Sequence, residues 1–348
     1  DFLSTCSRRR PIHMMLLTRI RRRGIASLTR RRKGKRWIPS APTHAFSGLR
    51  TLSVEDQISL QENGFLVVKD FCSEAKCEEI RGRLNTLIDD FDPETSSSIF
   101  TTHESDRDLQ DRYFLDSGDK VRFFWEADAF EEDGKTLRFP KRECINKVGH
   151  ALHVYDDVFK EYCETLSGVA HSLGMKRPLP LQSMYICKSP RTGGEVGPHQ
   201  DSTFLYTDPP SVHGLWLSVD TADEENGCLW VIPGSQSSTA LQERFIRSTP
   251  FNAEEGKREH QQPTLKIVPF DKTEESLSTQ GGVPIPTKAG DLVILHGQVV
   301  HWSDKNHSGR SRHALMIHVI DGECAYSPDN WLQYEKGTKA FPSFSTQP

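Results

Sequence analysis

The chain has 348 residues, of which 35% are hydrophobic and 26% are charged, and its mean hydropathy is −0.57. This composition excludes a polytopic membrane protein, and the 24 Gly and 20 Pro, which follow no period, exclude a collagen-like chain. Eight cysteines at irregular spacing without a C-x-x-C pair predict reduced thiols, not a zinc ribbon or a disulfide scaffold. What remains is a water-soluble globular protein of one large or two modest domains.

The formal net charge of −4 is divided unevenly along the chain. Residues 1–54 hold 14 Lys and Arg and one acid, whereas residues 55–348 hold 30 basic and 47 acidic side chains, a net charge of −17. The acidic body argues against a nucleic-acid partner, because phosphates require basic neutralisation. No window of the sequence is apolar enough for a membrane span.

The basic leader, residues 1–52, admits three interpretations. We favour a mitochondrial targeting segment that starts at Met14 or Met15, because the run that follows is rich in Arg and free of acids. A basic tail for nucleic acid or acidic membranes, and translated sequence upstream of the true start, are the alternatives. Each places the leader outside the fold, and without import the expected location is the cytoplasm.

Residues 53–348 have the pattern of a single folded domain. Its first half predicts, in order, a helix from Ser53 to Gln61 with Asp56 completing a capping box, a strand over 64–68, an amphipathic helix capped by Ser73, a loop over 92–119 and a helical stretch from Ile145 to Leu173.

Beyond Pro178 short β-type runs separated by Gly, Pro and Asp dominate. They cover 181–187, 214–219, 228–232, 264–268, 291–295 and 312–320. Helices followed by many short strands favour a mainly β sandwich or barrel with packed helices over a doubly wound α/β sheet. Residues 236–287 are polar and predict a variable, irregular insertion between strands.

Two clusters carry the spacing of metal ligands. His199 and Asp201 are two residues apart, so on an extended backbone both side chains project to one face. A second β-type run ends near His301, a polar turn follows, and Arg312 begins its predicted hairpin neighbour. Two histidines and one carboxylate with open positions opposite are the ligands of non-haem Fe(II) oxygenases. The planar fork of an arginine suits the distal carboxylate of a keto acid.

This spacing of H-x-D, a distant His and an Arg eleven residues later resembles the Fe(II)- and 2-oxoglutarate-dependent dioxygenases, and specifically the phytanoyl-CoA dioxygenase family. The likeness runs from about Glu62 to Leu332. Its further motifs lie at 62–68, 182–186, 198–201, 225–235 and 296–312, and those shared with the domain-containing subgroup of the family lie at 145–150 and 327–332. One departure is visible: many relatives have His where this chain has Gln236.

The resemblance implies a double-stranded β-helix, the jelly roll of cupin-like proteins, with helices packed outside. By position it implies that His199, Asp201 and His301 are the catalytic iron ligands and that Arg312 holds the C5 carboxylate of 2-oxoglutarate. It places further cosubstrate contacts at Lys147, Met184, Trp216 and Ser303. The cofactors implied are Fe(II), 2-oxoglutarate and O2, with ascorbate supporting activity.

The expected reaction converts 2-oxoglutarate and O2 to succinate and CO2 while a small molecule, acyl- or lipid-like, is hydroxylated. Related halogenases leave the carboxylate position small, so Asp201 favours hydroxylation. The alternatives are a non-oxidative zinc site with the same ligands, for which Arg312 has no use, and a non-catalytic binding module. The oligomeric state is not predicted, and a monomer is the default.

Three other histidines are weaker candidates. His296 is an alternative ligand to His301, but strand alternation places it on the opposite face and favours a structural role. His150 and His153 lie three residues apart on the predicted helix, where a packing role is favoured over metal binding.

Overall fold

The computed structural model describes residues 50–96, 98–99, 111–248, 264–270, 277–334 and 341–345. The basic leader and its predicted targeting run lie outside these residues. The described α-helices are α1 Val54–Asn63, α2 Glu74–Asp90, α3 Arg112–Leu115, α4 Lys141–Cys144, α5 Leu152–Tyr155, α6 Asp157–Thr165, α7 Ser167–Ser172 and α8 Ser235–Ser238. Short 3₁₀ helices cover Pro93–Thr95 and Asp201–Thr203.

The strands of the described residues are β1 Phe65–Val68, β2 Val121–Trp125, β3 Ile145–His150, β4 Pro178–Lys188, β5 Val196–His199, β6 Thr207–Asp208, β7 His213–Ser218, β8 Leu229–Val231, β9 Glu243–Arg247, β10 Leu265–Pro269, β11 Val283–Ile285, β12 Leu292–His296, β13 His301–Ser303, β14 Arg312–Asp321 and β15 Ala325–Tyr326. A seven-stranded sheet has the order β1-β12-β7-β14-β4-β3-β2, and a four-stranded sheet has the order β11-β8-β13-β5. Their pairings are antiparallel. The predicted mainly β jelly roll is confirmed.

Alternation along β14 separates the core from the cavity. Leu315, Ile317 and Val319 belong to the main hydrophobic cluster, whereas Arg312, Met316 and His318 line a cavity between the two sheets. Successive side chains of a strand point to opposite faces, so one strand supplies both. The neighbouring strands β4 and β7 divide their side chains in the same way.

The helices cover the outer face of the large sheet. Ile80, Leu84 and Ile88 of α2 are fully buried in the main cluster, together with Phe159 of α6 and Val169 of α7. The predicted starts are correct: Ser53 and Asp56 form the capping box of α1, and Ser73 caps α2. The cavity is therefore backed by a rigid, fully packed sheet.

Residues 145–150 form strand β3, so the predicted helix over this stretch was wrong. β3 pairs with β2 on one side and β4 on the other. The apolar spacing of Ile145 and Val148 fits the packed face of a strand as well as a helix, and pairing with β4 decides between them. Helices begin only at Leu152.

The predicted hairpin between His301 and Arg312 was also wrong. β13 pairs with β5 and β8 in the small sheet, whereas β14 pairs with β4 and β7 in the large sheet. The connection between them crosses from one sheet to the other, so both residues still reach the same cavity.

The stretch 236–287 holds more regular structure than expected. Its described parts include strands β9 and β10, which pair with each other, and β11, which pairs with β8. Phe245 and Leu265 of this hairpin are buried and line the cavity. Among the described helices, none has both the length and the apolar character needed to cross a membrane.

Candidate metal centre and active site

Two histidines meet across the small sheet. His199 ends β5 and His301 begins β13, and the register of the two strands makes them direct partners. Their ring centroids lie 4.2 Å apart. Direct cross-strand partners have neighbouring Cβ atoms, so the sheet itself brings the two imidazoles together.

Backbone carbonyls orient both imidazoles. His199 Nδ1 donates to Gly197 O at 2.8 Å, and His301 Nδ1 donates to Val299 O at 3.1 Å. A carbonyl only accepts, so each Nδ1 carries a proton, and in the neutral imidazole Nε2 is then the nitrogen with the lone pair. This tautomer is the one that metal-binding histidines use.

Asp201 completes the group directly after β5, in a 3₁₀ turn. Its Oδ1 lies 3.6 Å from His199 Nε2 and 3.7 Å from His301 Nε2, while Oδ2 lies 3.1 Å from His318 Nε2. Burial by itself raises the pKa of the carboxyl, but His318, His301 and His199 together hold the pKa of Asp201 well below its usual range. Burial lowers the pKa of His301 to about 4.

This donor set fits a divalent metal. His199, Asp201 and His301 offer ligand atoms that all lie within 4.8 Å of one another, and they form the sole such group found among the described residues. Two neutral imidazoles and one carboxylate on a single side match the two-histidine, one-carboxylate arrangement of non-haem iron sites.

Arg312 is a buried cation that lacks an anion. Only 1% of its surface is exposed, and burial lowers its pKa to about 10. Nε donates to Gly227 O at 2.9 Å, one terminal nitrogen contacts Ser303 Oγ at 3.4 Å, and the other has no hydrogen-bond partner among the described residues. A buried guanidinium without a paired carboxylate is costly, which makes this a site for an anionic ligand.

The cavity that joins these groups has a volume of about 240 Å³. We call its part around Arg312, Ser303, Trp216 and Lys188 the anchor end, and its part around Phe114, His150, Phe245 and Trp331 the aromatic end.

The structure places every predicted cosubstrate residue in the cavity wall. Met184, Trp216, Ser303 and Lys147 all line it, and the Trp216 ring lies under the Arg312 guanidinium at 5.6 Å. Lys147 Nζ lies 5.4 Å from the ring centroids of Phe114 and Phe124. Those rings also contact His150, so Lys147 lies against side chains of the aromatic end.

Four ionisable residues of the cavity wall were not predicted, namely Asp111, Glu126, Lys188 and His318. Lys188 Nζ donates to Gly194 O at 2.6 Å and Asp304 O at 2.7 Å, and burial brings its pKa well below the usual value. Glu126 lines the same wall, and burial raises its pKa. Lys188 is the direct partner of Arg312 across β4 and β14. In the sequence, the alternation of side chains along β4 was the signal that could have identified Lys188 as a cavity residue.

The weaker histidine candidates stay away from the metal group. His296 packs against His213 with ring centroids 5.1 Å apart and accepts from Gln298 N. His153 contacts Ser183 Oγ, and His150 contacts Ser117 Oγ. Gln236 donates to Gln61 O at the end of α1 and does not line the cavity.

The fold and the donor set define a class, the cupin-like non-haem iron oxygenases. The family model described as phytanoyl-CoA dioxygenase (PhyH) matches residues 60–314. The chain belongs to this family, and it is accordingly an oxidoreductase of the 2-oxoglutarate-dependent dioxygenase class.

Relatives from distant organisms align along most of the chain. The phytanoyl-CoA dioxygenase of Arabidopsis thaliana is 42% identical over 285 residues, which cover 81% of this chain and 94% of that protein. Phytanoyl-CoA dioxygenase domain-containing protein 1 of Mus musculus is 40% identical over 291 residues, which cover 81% and 95% of the two chains.

Solved structures share the fold at low sequence identity. The 2-oxoglutarate-dependent carbocyclase SnoK of nogalamycin biosynthesis is 19% identical with a TM-score of 0.51, over 81% of this chain and 90% of its own. EctD of S. alaskensis, solved with 2-oxoglutarate and 5-hydroxyectoine, is 18% identical with a TM-score of 0.51, over 88% of each chain.

Proposed function

We propose that the chain is an Fe(II)- and 2-oxoglutarate-dependent hydroxylase of a small molecule. In the balanced reaction, 2-oxoglutarate, O2 and a substrate C–H bond give succinate, CO2 and a C–OH group. His199, Asp201 and His301 would hold the iron. When bound, the iron supplies the site at which O2 is activated and the keto acid is oxidised.

The observation that carries this proposal is the unpaired Arg312 guanidinium in the same cavity as the three ligands. Its free N–H groups can donate to the C5 carboxylate of 2-oxoglutarate, with Ser303 Oγ beside it. The Trp216 ring lies 5.6 Å from the guanidinium. Met184 and Lys147 also line the cavity, with Lys147 against the aromatic end. A zinc hydrolase has no use for this anion site, which is why oxidation is favoured.

The protein itself positions the reacting groups and excludes bulk water from them. Asp201, His301 and Arg312 are each at most 5% exposed, so the reacting groups are held away from bulk water. Phe114, Phe204 and Phe245 line the remaining wall and favour a substrate with an apolar body. The presence of a carboxylate at Asp201, where halogenases have a small residue, supports hydroxylation.

Succinate release from 2-oxoglutarate by the purified chain, given Fe(II), O2 and ascorbate, tests the proposal. We expect release above background that His199→Ala abolishes and Arg312→Lys strongly reduces. Arg310→Lys is the matched control, since Arg310 is half exposed and pairs with Asp223. Absence of succinate with stoichiometric zinc in the protein would favour hydrolysis, and absence of both would favour a binding module.

A further inference from the structure

A row of three residues across the large sheet supports the carboxylate ligand. On adjacent strands, His318 of β14 lies opposite Gly214 of β7 and opposite Gln182 of β4. His318 and Gln182 both line the cavity and are 2% and 4% exposed. Asp201 Oδ2 lies 3.1 Å from His318 Nε2 at the centre of this row.

The tautomer of His318 follows from its two neighbours. Its Nδ1 faces the side-chain amide of Gln182, and its Nε2 faces Oδ2 of Asp201. Gln182 Nε2 lies 3.0 Å from Nδ1 and donates to it. Because Nδ1 accepts this bond, the proton of the neutral imidazole is on Nε2, the nitrogen that lies 3.1 Å from Asp201 Oδ2.

Gly214 provides the space that this contact needs. A Cβ placed on Gly214 would lie 3.0 Å from Asp201 Oδ2 and 3.1 Å from the Met316 side chain. Any larger residue at this position would push the carboxylate away from His318. The absence of a side chain opposite His318 therefore permits the 3.1 Å approach.

We propose that His318, set by Gln182 and given room by Gly214, is a positioning residue that holds Oδ2 of Asp201 and leaves Oδ1 alone to bind the metal. Oδ1 is the oxygen that lies between the two ligand imidazoles, at 3.6 and 3.7 Å from their Nε2 atoms. A carboxylate held in this way would present one oxygen, Oδ1, to a bound metal ion. The inference rests on the proposed iron site.

The test uses the full chain with Co(II) as the probe, in the absence of 2-oxoglutarate, and reads both affinity and the visible spectrum of the bound ion. We expect His318→Leu to weaken Co(II) binding by about 10- to 100-fold and to change the coordination spectrum. His318→Gln keeps an N–H donor and should recover part of both. The matched control is His313→Leu, since His313 is on the same strand but packs against Tyr185 on the outer face, and it should stay within about twofold of wild type.

Gly214→Ala perturbs the contact between Asp201 Oδ2 and His318 without changing His318 itself, and it should give the same spectral change. Wild-type affinity and spectrum in His318→Leu would overturn the inference, as would an equal loss in His313→Leu. Because Co(II) binding is read without turnover, failure here is separate from failure of the succinate assay, which tests the proposed function.

Discussion

The anchor end and the aromatic end of the cavity differ in chemistry. At the anchor end, the N–H groups of buried Arg312 and Lys188 donate to the backbone at Gly227, Gly194 and Asp304. At the aromatic end, Phe114 stacks on Trp331 at 4.6 Å, and the ring of His150 meets both edge-on.

Under the proposed function, this difference would separate recognition of the shared cosubstrate from recognition of the particular substrate. A fixed guanidinium selects a carboxylate by charge and planar geometry. Ring surfaces select by shape and burial and tolerate many apolar ligands. A chain of rings, Phe114, Phe245 and Phe204, leads from the aromatic end to His199, so a substrate lying along it would reach the metal group.

The largest expected effect lies between the two ends. Asp201→Ala removes the only carboxylate of the metal group and should weaken Co(II) or Fe(II) binding by more than about 100-fold, because outer-shell changes alone cost about 10- to 100-fold. Isothermal titration of the metal measures this. Asp304→Ala, an exposed carboxylate at the end of β13, is the control, and equal binding by both variants would refute the metal assignment.

The anchor end should respond most strongly to a change of cation shape. Arg312→Lys keeps the charge but loses the planar fork, so we expect the KM for 2-oxoglutarate to rise about 10- to 100-fold, equivalent to about 1.5–3 kcal/mol for charge-assisted hydrogen bonds. Succinate production over a range of 2-oxoglutarate concentrations gives the value. An unchanged KM would show that the keto acid is held elsewhere.

Two buried histidines, His150 of the aromatic end and His153 close to it on the chain, should make the stability of the fold depend on pH. Burial lowers the pKa of His153, next to this end on the chain, to about 4 from 6.5, and lowers that of His150 well below 6.5. The unfolded state therefore binds protons at a pH at which the folded state does not. As a result, the free energy of unfolding is highest above pH 6.5 and decreases as pH falls towards 4. Arg312, with a pKa of about 10, stays charged throughout this window.

Urea unfolding at pH 7.5 and pH 5 measures this effect. For His153 the loss at pH 5 should be about 2 kcal/mol in the free energy of unfolding. His153→Gln should lose correspondingly less between the two pH values. The same decrease in both proteins would contradict the assignment of the loss to this imidazole.

The smallest effect again concerns the anchor end. Ser303→Ala removes the hydroxyl 3.4 Å from the Arg312 guanidinium and should raise the KM for 2-oxoglutarate by about 2- to 10-fold, the size of one neutral hydrogen bond. The same saturation assay measures it, with Ser308→Ala, in the exposed loop before β14, as the control. An effect as large as that of Arg312→Lys would mean that Ser303 does more than support the guanidinium.

The sequence predicted His199, Asp201, His301 and Arg312 because their signals are local. H-x-D lies at one strand end, and His301 and Arg312 flank one short connection, so each spacing is visible in a single stretch. The turn that supports Arg312 is equally local: Asn226 donates to Thr221 O and accepts from Asp223 N, and this presents Gly227 O to the guanidinium.

The aromatic end could not be predicted because its residues come from separate segments. Phe114 follows a polar loop, Phe245 lies in a stretch expected to be irregular, and Trp331 follows the last strand; only the tertiary fold brings them together. The prediction of a helix at Ile145–His150 was wrong for a related reason. Its apolar pattern suits a helix until β2 and β4 pair with it.

Arg247, buried in β9, ties these segments to one another. Its Nε donates to Trp331 O at 2.7 Å, a terminal nitrogen donates to Leu115 O at 2.9 Å, and its backbone N–H donates to Asp329 O at 2.8 Å. Arg247 thus connects its own strand to the segments at Leu115 and at 329–331. We expect the three segments to unfold locally as one cooperative unit, so their slowly exchanging amide hydrogens should show a common opening free energy.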